Sequence, residues 1–184
     1  MKPISPSVRQ SGFSLLEALV TMLILAFGLL GVAGLQAKVQ VSESEAFART
    51  QAILLVEDMS NRISANRVAA STYVTGTTPL GTGDGQPASC AGLTALALDQ
   101  CEWSQTLNGT SEQKSGSKIG AMVGARGCID KVGTNPDAYR VTVVWQGATL
   151  LKAPSVDCGK GLYGAEGNRR ALSNVVTIAN LSAP

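Results

Sequence analysis

The sequence predicts an α+β protein: one long N-terminal helix packed on a small antiparallel β-sheet head. Three observations predict it. The twenty residues from Ala18 to Ala37 carry no charge. No glycine or proline lies between Leu35 and Gly76. Finally, the C-terminal half holds runs of alternating and β-branched residues, above all Tyr139–Gln146.

Twenty helical residues at about 1.5 Å rise span roughly 30 Å, the thickness of a bilayer core. No later stretch is comparable, so one membrane span is expected. Lys2 and Arg9 precede it, and no acid lies before Glu17. Basic residues before a first span stay cytoplasmic, so the chain beyond Gln36 is expected outside the cytoplasm. Taking Lys2 and Arg9 from the 15 basic residues leaves 13 against 13 acidic ones. That balance argues against nucleic acid as a partner.

The segment before Gly12, "MKPISPSVRQS", is polar, with two prolines, and "LQA" at Leu35–Ala37 is a poor small-x-small site. A removable secretory signal places its apolar region before the cut, so that reading fails. Glu17 is the feature to explain. A charge within a span costs about 2.5–3.5 kcal/mol or more, so it is paired or functional.

The run Gly12-Phe13-Ser14-Leu15-Leu16-Glu17, after a short basic leader and before an unbroken apolar stretch, resembles the type IV prepilin signature. The resemblance covers about thirty residues. It implies cleavage between Gly12 and Phe13 by a prepilin peptidase, N-methylation of Phe13 and retention of the apolar helix. The implied partners are other minor pilins, the major pilin and an inner-membrane assembly platform. Glu17 in an apolar filament core needs a cation. The free amine of Phe13 on a neighbouring subunit is the nearest, and pairing with it would set axial register. Gly28, Gly31 and Gly34 suit close helix packing.

Beyond the span, Ala48, Ala52, Leu55, Met59 and Ile63 fall at i, i+4, i+7, i+11 and i+15, one stripe on a helix. One helix is therefore expected from about Ser14 to about Val68, with Glu45/Arg49 and Asp58/Arg62 as i,i+4 pairs. The expected organisation is a leader at 1–12, a membrane or filament-core half at 13–37, an amphipathic half at 38–70 and a head at 71–184.

"TGTTPLGTGDGQPAS" reads as a loop. Its glycines follow no strand and make no phosphate loop. "CGKG" also fails as one, since Pro154 and Gly161 stand where Gly and Ser or Thr are needed. The helical spacing of Leu93, Leu96, Gln100, Trp103 and Leu107 predicts a short helix over 92–107, and "TSEQKSGSK" a solvated loop. Strands are predicted at Ile119–Ile129, at Tyr139–Gln146 with Tyr139, Val141, Val143 and Trp145 on one face, and at Ser173–Leu181. "LLGVAGLQ", "YRVTVVW" and the closing strand resemble, diffusely, the PilV-type minor pilins.

Four cysteines in an oxidising compartment suggest two disulfides, with three connectivities. Loop lengths and strand placement favour Cys90–Cys101 and Cys128–Cys158. A four-cysteine zinc site lacks any C-x₂₋₄-C pair. There is no histidine, which removes the commonest general base and metal ligand. No catalytic constellation, metal site or cofactor site is expected, and the chain is not expected to be an enzyme. Arg169-Arg170 with Lys160 forms a small basic cluster, read as solvated loop surface. The expected function is a minor pilin of a type IV pilus, acting in assembly or priming, with adhesion or motility as further roles. The alternatives are a minor pseudopilin of a type II secretion system, or a tip adhesin or DNA-uptake receptor.

Overall fold

The computed structural model describes residues 12, 14–76, 78–109, 113–114, 117–118 and 122–179. The elements are α1 (Leu15–Ala65), a 3₁₀ segment (Arg67–Tyr73), β1 (Leu80–Gly81), α2 (Ala95–Leu107) and the two-residue strands β2 (Gln113–Lys114) and β3 (Ser117–Lys118). They are followed by β4 (Arg126–Thr134), β5 (Asp137–Gln146), a 3₁₀ turn (Glu166–Asn168) and β6 (Arg169–Ile178). The main sheet is antiparallel, in the order β1-β4-β5-β6, and β2 pairs with β3 apart from it. This is an α+β, type IV pilin-like fold. The chain forms two compact units, Met1–Glu43 and Ser44–Pro184.

In the second unit α1 buries Ala52, Leu55, Val56, Met59 and Ile63, three turns laid along one face of the sheet. Residues three and four apart share a helix face, so this stripe follows from the sequence spacing. Opposite it, β5 presents Tyr139, Val141, Val143 and Trp145, all buried. Alternate residues of a strand point to opposite faces, and the same strand also buries Thr142 and Val144. Val144 packs with Cys128, Cys158 and Tyr163. The connection after β5 thus covers part of the second face, which the sequence pattern did not foretell.

α2 closes the first core. Trp103 is fully buried, and its indole N–H donates to the Leu55 carbonyl at 2.9 Å. A Cβ on Gly127 would stand 2.1 Å from the Trp103 ring, so the sheet must carry glycine there.

Several boundaries differ from the expected ones. α1 ends at Ala65 and the chain tightens into the 3₁₀ segment, which turns Ala70 and Tyr73 into the core. α2 begins at Ala95; Gly92 lies before it with φ +82°. In the expected loop, Leu80 is buried and pairs with Gly127, making β1. β2 and β3 interrupt the other expected loop. The strand expected at Ile119–Ile129 is β4, which starts at Arg126 and runs to Thr134, because pairing with β5 continues through its polar half. Positions 119–121 of the expected strand lie outside the described residues. β6 starts four residues early, at Arg169, held by pairing with Gln146. It ends at Ile178, and positions 180–181 lie outside the described residues.

Candidate functional site

The first unit holds the residues of the expected processing and assembly segment. Phe13 lies outside the described residues. Gly12 is exposed, and a Cβ there would meet nothing within 4 Å. The helix opens as Ser14 O accepts the N–H groups of Glu17 and Ala18 at 3.0 and 3.2 Å. Glu17, in the first turn of α1, is exposed and makes no ion pair among the described residues. A carboxylate in a first helical turn is favoured by the free N–H groups and the helix dipole.

After it the side chains from Leu19 to Leu35 are apolar except for Thr21, whose hydroxyl donates to Ala18 O at 2.9 Å, and they face outward; Leu23, Ile24, Phe27, Leu30 and Leu35 are each more than half exposed. An 18-residue window here has a mean hydropathy of 2.4 and is 0% buried. Such a surface needs lipid or other helices around it. A Cβ at Gly28, Gly31 or Gly34 would meet nothing within 4 Å, so another backbone can approach at each. One segment thus combines a lone carboxylate, a bare apolar surface and three points of close approach.

The head is built to hold its shape. It contains the disulfides Cys90–Cys101 and Cys128–Cys158, each with Cα atoms 5.8 Å apart. Arg62 joins α1 to α2 through Asp99 at 2.8 Å and Glu102 at 2.7 Å, besides Asp58 at 3.2 Å. Partial burial works against the guanidinium charge, but these carboxylates outweigh it and raise its pKa. Asp99 also accepts the Tyr73 hydroxyl proton. Burial first, and then that bond, push the phenol above its ordinary value.

The basic cluster corrects an expectation: Arg169 is 2% exposed and is not solvated surface. Its guanidinium donates to the carbonyls of Val156 at 2.6 Å and Cys158 at 3.0 Å, and to Glu166 Oε2 at 2.6 Å. Glu166 Oε1 accepts the Gly161 N–H at 2.7 Å. That bond first, and Arg169 second, hold the Glu166 carboxyl below its ordinary value. Tyr163 donates to Gly124 O at 2.6 Å under the Arg126 guanidinium, 5.2 Å from the ring centroid. The whole connection 154–168 is thereby clamped onto β5.

Glu45 corrects another expectation. It does not take the pair with Arg49 but accepts from Ala148 N at 2.7 Å and Arg170 Nη2 at 3.2 Å. Arg170 also holds the Thr149 and Gly167 carbonyls, and a Cβ on Gly147 would lie 2.4 Å from its Cζ. The only sequence signal for these roles is the doublet Arg169-Arg170 three residues after Glu166. Salt bridges of that local kind are common and name no long-range partner.

Residues 8–33 match the family described as the prokaryotic N-terminal methylation motif. The match contains Gly12, Phe13 and Glu17. It supports a type IV prepilin-like signature and, with it, a pilin-like or pseudopilin protein that is processed by a prepilin peptidase and fits membrane anchoring followed by pilus assembly. The motif suggests a structural protein rather than an enzyme. No curated protein and no solved structure matches the chain significantly.

Proposed function

We propose that this chain is a minor structural pilin of a type IV pilus, of the PilV type. It is made as a prepilin in the bacterial inner membrane with its head in the periplasm, and is then drawn into the filament. Cleavage falls between Gly12 and Phe13, the new Phe13 amine is methylated, and Glu17 pairs with the amine of a neighbouring subunit. Its partners are the other minor pilins, the major pilin and the assembly platform. It acts in assembly or priming, with adhesion or motility as a further role.

The observation that carries this reading is Glu17, alone in an exposed apolar helix, within the matched methylation motif. An isolated carboxylate there is costly unless assembly brings it a cation. A minor pseudopilin of a type II secretion system shares the leader; deletion of the gene separates the two by loss of pili or loss of secretion. A DNA-uptake receptor is disfavoured because Arg169 and Arg170 are spent on internal carbonyls and carboxylates rather than forming a basic stripe. Mass analysis of the chain from purified pili tests the proposal. An N-terminus at N-methyl-Phe13 is expected. Absence of the chain from pili, or an N-terminus near Lys38, overturns it.

A further inference from the structure

Asp130 of β4 and Arg140 of β5 stand directly opposite each other in the ladder. Opposite charges so placed ordinarily pair, since their Cβ atoms lie about 5 Å apart. The next charges along the same two strands do so: Lys131 Nζ reaches Asp137 Oδ1 at 2.7 Å. Asp130 and Arg140 do not. Each side chain is half-buried, and neither makes a hydrogen bond or an ion pair among the described residues.

What the two share is a cleft of about 460 Å³, a size that suits a small ligand. Ile129, Tyr139 and Val141 face the main core, so Cys128, Asp130 and Arg140 lie on the other face of the sheet and form one wall. Residues 155–159, from the connection after β5, form the second wall, and Gly76 and Pro79 complete the lining. The Cys128–Cys158 bridge ties one wall to the other. Arg169 holds the second wall by the Val156 and Cys158 carbonyls, at 2.6 and 3.0 Å. The cleft is thus formed before any ligand arrives, which lowers the ordering cost of binding.

The charges say what would fill it. A simple anion suits Arg140 but faces Asp130, with Asp157 also in the lining. A simple cation suits the acids but faces Arg140. A neutral polyhydroxyl molecule would take both charges from water and return no counter-charge. A ligand carrying both signs answers both groups at once. Asp157 is left to Lys160, 3.1 Å away. Because Asp130 and Arg140 are cross-strand neighbours, the two ligand charges must lie close together. An ammonium and a carboxylate on one carbon meet that demand. A phosphoethanolamine group spreads its charges further, and a peptide terminus carries only one of them.

We propose that this cleft binds a free α-amino acid, its carboxylate on the Arg140 guanidinium and its ammonium on the Asp130 carboxylate. A planar guanidinium takes a carboxylate through two parallel N–H donors. The side chain of the ligand lies against Pro79, Val156 and the disulfide, the apolar part of the lining. Every lining residue belongs to the second unit, so the proposal does not depend on the pilin reading above.

The probe is an equimolar mixture of the free L-amino acids, added at millimolar concentration to the full chain in an uncharged polyoxyethylene detergent. Saturation-transfer NMR should show at least one of them bound. Its N-acetyl form and its α-amide each lack one charge, and each should bind on the order of tenfold more weakly or worse. Asp130→Asn should bind the free and N-acetyl forms alike, and Arg140→Gln the free and amide forms alike, with both native disulfides kept. A substitution that merely loosened the fold would weaken all forms together and leave that discrimination in place. No bound amino acid, an N-acetyl or amide form that binds as tightly as the free one, and affinity unchanged in both variants would each overturn the proposal. So would displacement of the amino acid by glucose or glycerophosphoethanolamine at equal concentration.

Discussion

The Trp103 indole N–H donates to the Leu55 carbonyl at 2.9 Å, fastening α2 to the C-terminal part of α1, while Gly127 lies against the far side of the same ring. The six-membered ring of the indole occupies the space that a Cβ at position 127 would need. Gly127→Ala should therefore destabilise the head by about 1–3 kcal/mol through overpacking. Trp103→Phe should cost about 2–4 kcal/mol in lost packing and hydrogen bonding. The double variant should be more stable than the sum of the two losses predicts, because phenylalanine lacks the clashing atoms. Denaturant unfolding of the four proteins measures the coupling.

Arg169 ties three backbone carbonyls and Glu166 together from a buried position. Arg169→Met removes every donor at once and should cost about 2–4 kcal/mol, since the buried Cys158 carbonyl and the partly buried Val156 and Pro154 carbonyls lose their donor. Arg169→Lys should recover only part, because an ammonium cannot reproduce the fork. Cleavage by a protease should then appear within 154–166 before the rest of the head opens.

The depressed pKa of Glu166 carries a definite sign. Folding favours its ionised form, so its contribution is complete above the ordinary carboxylate range, near pH 4.5, and is lost as pH falls through the lower folded-state value. Asp137, held low by Lys131, titrates with the same sign. Urea midpoints from pH 7 to pH 3 should fall less steeply for Glu166→Gln than for the unsubstituted chain. Equal slopes would show that Glu166 contributes nothing to the acid response.

The two bridges close loops of different length, 11 residues for Cys90–Cys101 and 30 for Cys128–Cys158. In the chain-entropy account these contribute roughly 3 and 3.5 kcal/mol. The longer bridge also carries Val144 and Tyr163 in its cluster. Replacing Cys128 and Cys158 by serine should lower the melting temperature more than replacing Cys90 and Cys101. A larger effect from the shorter bridge would contradict this ranking.

If Glu17 meets the amine of a neighbouring subunit, Glu17→Val should leave the chain stable in the inner membrane but on the order of tenfold or more depleted from pili, the loss expected for an unpartnered buried charge. Normal incorporation of that variant would remove the pairing role. Gly12→Val should retain the leader, read directly from the mass of the membrane-bound chain.

Much of this molecule follows from local rules. The stripe Ala52, Leu55, Met59 and Ile63 is set by the helical period, and the buried row Tyr139, Val141, Val143 and Trp145 by the strand period. Neither needs knowledge of what packs against it. The apolar run around Glu17 is likewise legible because its length and lack of charge are properties of the chain alone. By contrast, Glu45 has a sequence neighbour, Arg49, at ideal helical spacing, yet it binds Arg170, 125 residues away. Arg169 reads as surface by composition and is buried because the connection after β5 folds back and offers it carbonyls. The burial of Val144 on the second face of β5 has the same origin.

The long helix, its uncharged half, the α+β class and the two faces that meet in the main core are all written in the order of the residues, since periodicity and composition act over a few neighbouring positions. Which charges pair, that a loop covers the back of β5, and that β6 keeps an open edge while β4 does not were set by folding. Those outcomes depend on which distant segments arrive beside one another, and no local pattern carries that information.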